Sequence, residues 1–328
     1  MAVAAQPQPL AEVQQILAVP KRSLWQDAWA RLLRNKASVV GLVIIVIFGL
    51  IAIFANVLAP QNPLQQNAGK KFLPPTFVGT FLNKEPDPSF VFGTDFLGRD
   101  VWSRVIYGAR VSMFVGFLPA IIILLIGGTI GMVAGYIGGR VDNLLMRFTD
   151  VFYAFPDLLF FIIMIIAFKD QPIGEWLSGL FLLFLALALT SWVGVARLVR
   201  GSVLSLKEKE FVEAARAIGA TTPRIMFRHI LPNALGPIIV WTAFAIPRYI
   251  IFEAILGYLG LGLRPATDPG SFFISSWGSL MLDGRTAFNT QPWLLLTPSL
   301  CVALIVLAFT FLGDGLRDAL DPRLRGTQ

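Results

Sequence analysis

The sequence is poor in the residues from which metal sites and soluble catalytic centres are built. Its 328 residues include one cysteine, Cys301, and one histidine, His229. A lone cysteine excludes an internal disulfide. One Cys and one His cannot supply the usual ligand set of a structural zinc site. Charged residues make up only 14% of the chain, against about 25% in a soluble domain. No G-x-x-x-x-G-K-[ST] loop occurs, so the chain is not expected to bind or hydrolyse ATP itself. No G-x-S-x-G or H-E-x-x-H occurs either, which leaves a membrane hydrolase without support.

What the sequence does have is apolar length. Hydrophobic residues reach 55% and the mean hydropathy is +0.69. Runs of about 20 apolar residues recur, so the chain reads as an all-α polytopic membrane protein. Six spans are predicted, at roughly 38–58, 111–136, 151–168, 177–199, 235–259 and 292–312. The organisation that follows has five parts. A segment 1–37 carries a basic, Trp-containing interfacial helix, and its first 19 residues lack the layout of a signal peptide. The first span covers 38–58, and a Pro- and Gly-rich loop covers 59–109. A core of five spans covers 110–312, including a polar stretch at 200–234. A tail covers 313–328.

The net charge is +7, but the basic residues flank apolar spans, so membrane orientation explains them better than nucleic-acid binding. With the N-terminus inside, inside segments carry 17 Lys and Arg and outside segments eight. This places both termini and the polar stretch in the cytoplasm. In the second span Gly127, Gly131 and Gly135 share one helix face, which permits close helix approach. Gly138 to Asp150 reads as a short polar turn, and Gly260 to Gln291 as an irregular loop.

The polar stretch Gly201–Pro232 organises the rest. Ser205 and Glu208 have capping-box spacing. Phe211, Val212, Ala215 and Ile218 form one apolar helix face. Gly219 stands where a helix C′ residue is wanted. Thr222-Pro223 starts a second helix, and Pro232 is expected to close it. On pattern alone this is either a solvated loop with an amphipathic helix or an element built to be gripped.

The order Glu213-Ala214-Ala215, Gly219, Ile230-Leu231-Pro232 resembles the EAA loop of ABC-importer permeases. The run Gly93-Thr94-Asp95, Gly98-Arg99-Asp100, Ser103-Arg104 and Tyr107-Gly108-Ala109-Arg110 is similar to C-type permease subunits of dipeptide and oligopeptide importers. So are Ala134-Gly135-Tyr136, Arg228-His229-Ile230-Leu231-Pro232-Asn233 and Gly313-Asp314-Gly315-Leu316-Arg317-Asp318. Gly257-Tyr258 departs from the Ser-Phe expected there.

The resemblance implies a type I ABC importer permease in a bacterial inner membrane. It implies a homologous second permease subunit forming a heterodimer, two ATP-binding cassette ATPase subunits and an extracytoplasmic substrate-binding protein. This chain would bind no cofactor, and ATP and Mg would sit on the ATPases. The coupling residues would be Phe211, Val212, Glu213, Ala214, Ala215, Ile218, Gly219 and Pro232. The apolar ones would bury in an ATPase groove with Glu213 on its rim. Cargo within the family spans peptides, nickel chelates and peptide antibiotics.

Two charges inside the fifth span, Arg248 and Glu253, are functional pointers because charge is costly in a bilayer. They line a path or pair with a partner subunit, or they lie near the outer interface. Asp95, Arg99 and Asp100 read as turn and cap residues. Asp314, Arg317 and Asp318 read as local ion pairs and caps. A self-contained secondary transporter is the alternative. Such proteins tend to show inverted repeats and buried ion ligands, whereas these spans contain few carboxylates and no convincing internal repeat. A membrane-anchored scaffold would have to build its soluble part from a poorly patterned loop.

Overall fold

A computed structural model of the chain describes residues 24–321, apart from Leu82, Thr267 and Pro269. The expectations for residues 1–19 and for the end of the tail fall outside the described residues. The described chain is helical, with two isolated β-bridges in the loop before the second span. Five helical stretches are long and apolar enough to cross a membrane. A sixth is the bent pair Gly139–Tyr153 and Asp157–Phe168.

The α-helices of eight residues or more are α1 (Leu24–Arg34), α2 (Lys36–Ile53), α3 (Val101–Ile137), α4 (Gly139–Tyr153), α5 (Asp157–Phe168), α6 (Leu180–Thr190), α7 (Trp192–Leu206), α8 (Glu210–Ala217), α9 (Leu231–Tyr258), α10 (Trp277–Thr286) and α11 (Trp293–Leu320). The 37-residue α3 is about 55 Å long and forms the central post. It packs against α7 through the glycine stripe. A Cβ on Gly127 would come within 2.5 Å of the Trp192 carbonyl oxygen, and one on Gly135 within 2.9 Å of that of Arg200. Gly131 faces the Ala196 carbonyl more closely still. Each step of four residues on α3 matches a step of four on α7, so the two helices run parallel and in register.

On the far side, α2 lies along α11, where Ser38 Oγ donates to the Phe311 carbonyl at 3.1 Å. α10 docks on α3 and α9. The fully buried Trp277 donates its indole N–H to Val105 O at 3.1 Å, and Gly278 sits against the Glu253 carbonyl.

Four boundaries differ from the sequence reading. The second span's helix starts at Val101, because Asp100 caps it by accepting from Ser103 N at 2.7 Å and Val101, Val105 and Ile106 are buried. The expected turn 138–150 is the helix α4, which Gly138 sets off from α3 with φ +70°. The loop 260–291 contains α10, started by a capping box at Ser276 and Ser279. The last helix also runs on to Leu320, since Gly315 and Ala319 pack against Ser38 and the α1 face. Asp314 and Asp318 therefore lie on a helix, and no ion pair forms there among the described residues.

The loop before α3 is held by charge. Asp95 accepts from the backbone of Leu97 and Arg99, from Arg99 Nε at 2.7 Å and from Arg104 Nη1 at 2.6 Å. Arg104 also reaches Asp283 on α10 at 2.9 Å. Gly93 and Gly98 turn the chain here with φ +74°, so Asp95, Arg99 and Asp100 are turn and cap residues as expected. Burial is the main influence on Asp100 and pushes its carboxyl above the usual range, against the Ser103 hydrogen bonds.

Candidate functional site

The polar stretch folds as a bracket at one end of the bundle. α7 continues through Ser205 to Leu206, so Ser205 is inside a helix and the expected capping box with Glu208 does not form. α8 starts after Lys209, whose carbonyl accepts from Val212 and Glu213 at 2.9 and 3.2 Å. Its C-terminus is a Schellman motif. Gly219 N donates to Arg216 O at 2.9 Å and Ala220 N to Ala215 O at 3.0 Å, with Gly219 at φ +79°.

The apolar stripe of α8 splits between two faces. Val212 and Ala215 are buried in this chain's own core. Phe211 is 40% and Ile218 85% exposed, and Glu213 and Ala214 are exposed beside them. The four apolar residues therefore cannot enter one external groove together. The i, i+3, i+4 geometry gives two seams here, one inward through 212 and 215 and one outward through 211, 214 and 218.

The bracket is bolted to the bundle. Arg200 donates Nε and Nη2 to the two carboxylate oxygens of Asp142 at 2.5 and 2.7 Å. Lys207 Nζ donates to Gly135 O at 3.1 Å. The Arg216 guanidinium lies over the Tyr136 ring, 5.7 Å from its centroid.

Pro232 does not end the second helix of the bracket. Helix runs from Thr222 to Tyr258 with a π-turn at Met226–Ile230. Leu231 N donates to Met226 O, one residue further back than in an α-helix. This wider turn accommodates the proline ring and its missing N–H. The Asn233 side chain donates to the His229 carbonyl at 2.7 Å. Pro232 instead walls a cavity of about 680 Å³ shared with Trp25, Trp241, Phe244 and Arg317, between α1, α9 and α11.

The two span charges separate. Positions 248 and 253 are five apart, or about 140° around the helix. Glu253 is fully buried between α3, α9 and α10 and accepts from Ser112 Oγ at 3.3 Å. Within this chain it faces the interior of the bundle. Arg248 stands on the open face of α9 and donates to Asp157 at the start of α5, with 62% of its side chain exposed. Asp157 was not singled out in the sequence. A carboxylate just after Pro156 inside an apolar run was the available signal. Arg110, on α3, is buried and donates to Ala52 O at 3.1 Å and Asn56 Oδ1 at 3.0 Å. It ties α3 to the end of α2.

Comparison with known proteins places this geometry. Residues 127–326 match the family described as "Binding-protein-dependent transport system inner membrane component". Residues 23–75 match the "N-terminal TM domain of oligopeptide transport permease C". The chain is 41% identical over 305 residues to the oligopeptide transport system permease protein OppC of Bacillus subtilis, covering 92% of this chain and 91% of that one. It is 40% identical to the dipeptide permease DppC of the same organism, covering 93% and 88%. It is 38% identical to OppC of Escherichia coli K12, covering 94% of each. In fold it is similar to a chain of the inward-facing MetNI methionine ABC transporter. The TM-score is 0.53 at 17% identity, covering 66% of this chain and 96% of that one. The bracket, the glycine-packed bundle and these similarities together assign the chain to the binding-protein-dependent ABC-importer permeases, on the oligopeptide and dipeptide permease C branch, as a multi-pass protein of the bacterial inner membrane.

Proposed function

We propose that this chain forms half of the translocation path of a peptide importer and is moved by separate ATPase subunits that grip α8 from the cytoplasm. The observation that carries the reading is the split of α8. Its inner seam, Val212 and Ala215, is part of the bundle, and its outer seam presents Phe211, Ala214 and Ile218 to whatever lies beneath. Glu213 stands on the rim of that face, placed to meet a basic group. From Gly219 the chain turns directly into the helical run Thr222–Tyr258, so a push on α8 reaches the middle of the membrane with little slack.

The open face of α9 supports a second, homologous permease subunit completing the path as a heterodimer. A substrate-binding protein would land at the outer end, beside the loop before α3. ATP and Mg would be held by the ATPases. Peptide cargo is supported by the names of the relatives, which are oligopeptide and dipeptide permeases.

The test is co-purification and uptake. Expressed with its neighbouring transporter genes, the chain should copurify with a second permease and an ATPase. Proteoliposomes of the complex should take up labelled peptide only with ATP and binding protein. ATP-independent uptake by this chain alone would return the secondary-transporter alternative.

A further inference from the structure

We infer that Arg248 and Asp157 form a binding site for the charged ends of a peptide in transit, a reading that rests on the peptide cargo proposed above. Arg248 lies about 15 Å along α9 from its end at Tyr258. Asp157 opens α5, which has 12 residues and so begins about 18 Å, roughly half a bilayer, from its far end. The site is therefore at membrane depth. It also sits at a broken span, where α4 and α5 meet at 75°.

Lipid cannot be what this site faces. An arginine with 62% of its side chain open, paired to an aspartate with 29% open, would hold exposed charge in hydrocarbon. A second open pair, Arg197 with Asp150, straddles the same break on the α7 and α4 side, with 40% and 65% of the side chains exposed. Both pairs border the break between α4 and α5, and the proposed path runs past them. Apolar residues of α9 flank the first pair, Phe244 and Ile251, each 37% exposed.

The ligand follows from the charges. Arg248 presents a planar fork suited to a carboxylate. Asp157 accepts from an ammonium. A zwitterionic peptide can exchange the internal pair for two pairs of its own, so no charge is left uncompensated while it passes. A neutral solute cannot make that exchange.

The experiment uses the whole transporter in proteoliposomes, with a tripeptide and its C-terminal amide each saturating the binding protein. In Arg248→Gln the acid-to-amide uptake ratio should fall about tenfold, the effect of one lost charge-assisted hydrogen bond. Arg248→Lys should restore most of the ratio. In a Cys301→Ser background, Ile251→Cys should react with a membrane-impermeant cationic thiosulfonate, and saturating peptide should slow that reaction. An unchanged ratio in a complex that does move peptide, or an Ile251→Cys that does not react, overturns the site alone. A parental complex that moves no peptide defeats the cargo reading and the ligand assigned here with it.

Discussion

The seam between α3 and α7 and the outer face of α8 are built from the same small residues toward opposite ends. Along the seam, Gly127, Gly131 and Gly135 let one backbone lie against another, with no room for a methyl group at Gly131. On and just after α8, Ala214 is exposed, and a Cβ on Gly219 would have no neighbour within 4 Å. The first use of smallness makes a rigid body, because packed interiors transmit displacement and do not absorb it. The second keeps a surface free for another molecule. A permease moved by a partner, as proposed here, needs both.

The sharpest way to break the comparison is to fill the seam. Gly131→Leu should cost about 3 kcal/mol or abolish assembly, since the obstacle is the Ala196 backbone and cannot rotate away. Fluorescence-detected size exclusion in detergent, with the apparent melting temperature, reads this directly. A Gly131→Leu protein that elutes and melts like the parent would show that the seam is not a tight contact.

The second prediction moves to the free face. Ile218 is 85% exposed, so Ile218→Asp should change the stability of this chain by less than about 0.5 kcal/mol. Losing an apolar anchor from an ATPase groove should weaken that association by about 2 kcal/mol. The complex should lose its ATPases on a column while the permease stays folded, and uptake should fall accordingly. Retention of the ATPases at parental stoichiometry would place the docking surface elsewhere.

Much of this was legible in the sequence, and the reason is periodicity. The apolar runs are long enough to announce spans, and the glycine spacing of four announced the seam. Gly219 was legible because a left-handed C′ position selects for glycine. The misses have different causes. α10 and the first ten residues of α3 are helices made by tertiary burial of short segments, which composition alone reads as loop, whereas α4 buries only Asp142 and Thr149 and is tied to the bundle by the Asp142–Arg200 ion pair. The split of the α8 stripe was hidden because a 3.6-residue repeat shows which residues are apolar and not how many neighbours share them. Arg248 and Glu253 looked equivalent as charges in one span. Their spacing of five already set them on different sides of the helix, and which side would be open depended on α3 and α10.

The smallest effect sharpens the comparison most, because it separates space from backbone. Gly219 has ample room for a side chain but holds φ at +79°, where an L-residue is strained. Gly219→Ala should therefore cost about 1 kcal/mol, through the turn and not through a clash. The bulk of the new side chain should matter little to folding, so Gly219→Leu and Gly219→Ala should melt within a degree or two of each other. They should differ in coupling, since only the larger residue intrudes on the free face beside Ile218. Gly219→Asn, which tolerates the left-handed region, should recover most of the stability. If Ala and Leu instead diverge in melting temperature and agree in ATP-driven uptake, the position is packed, and the distinction between the closed seam and the open face fails at the residue where it is drawn most finely.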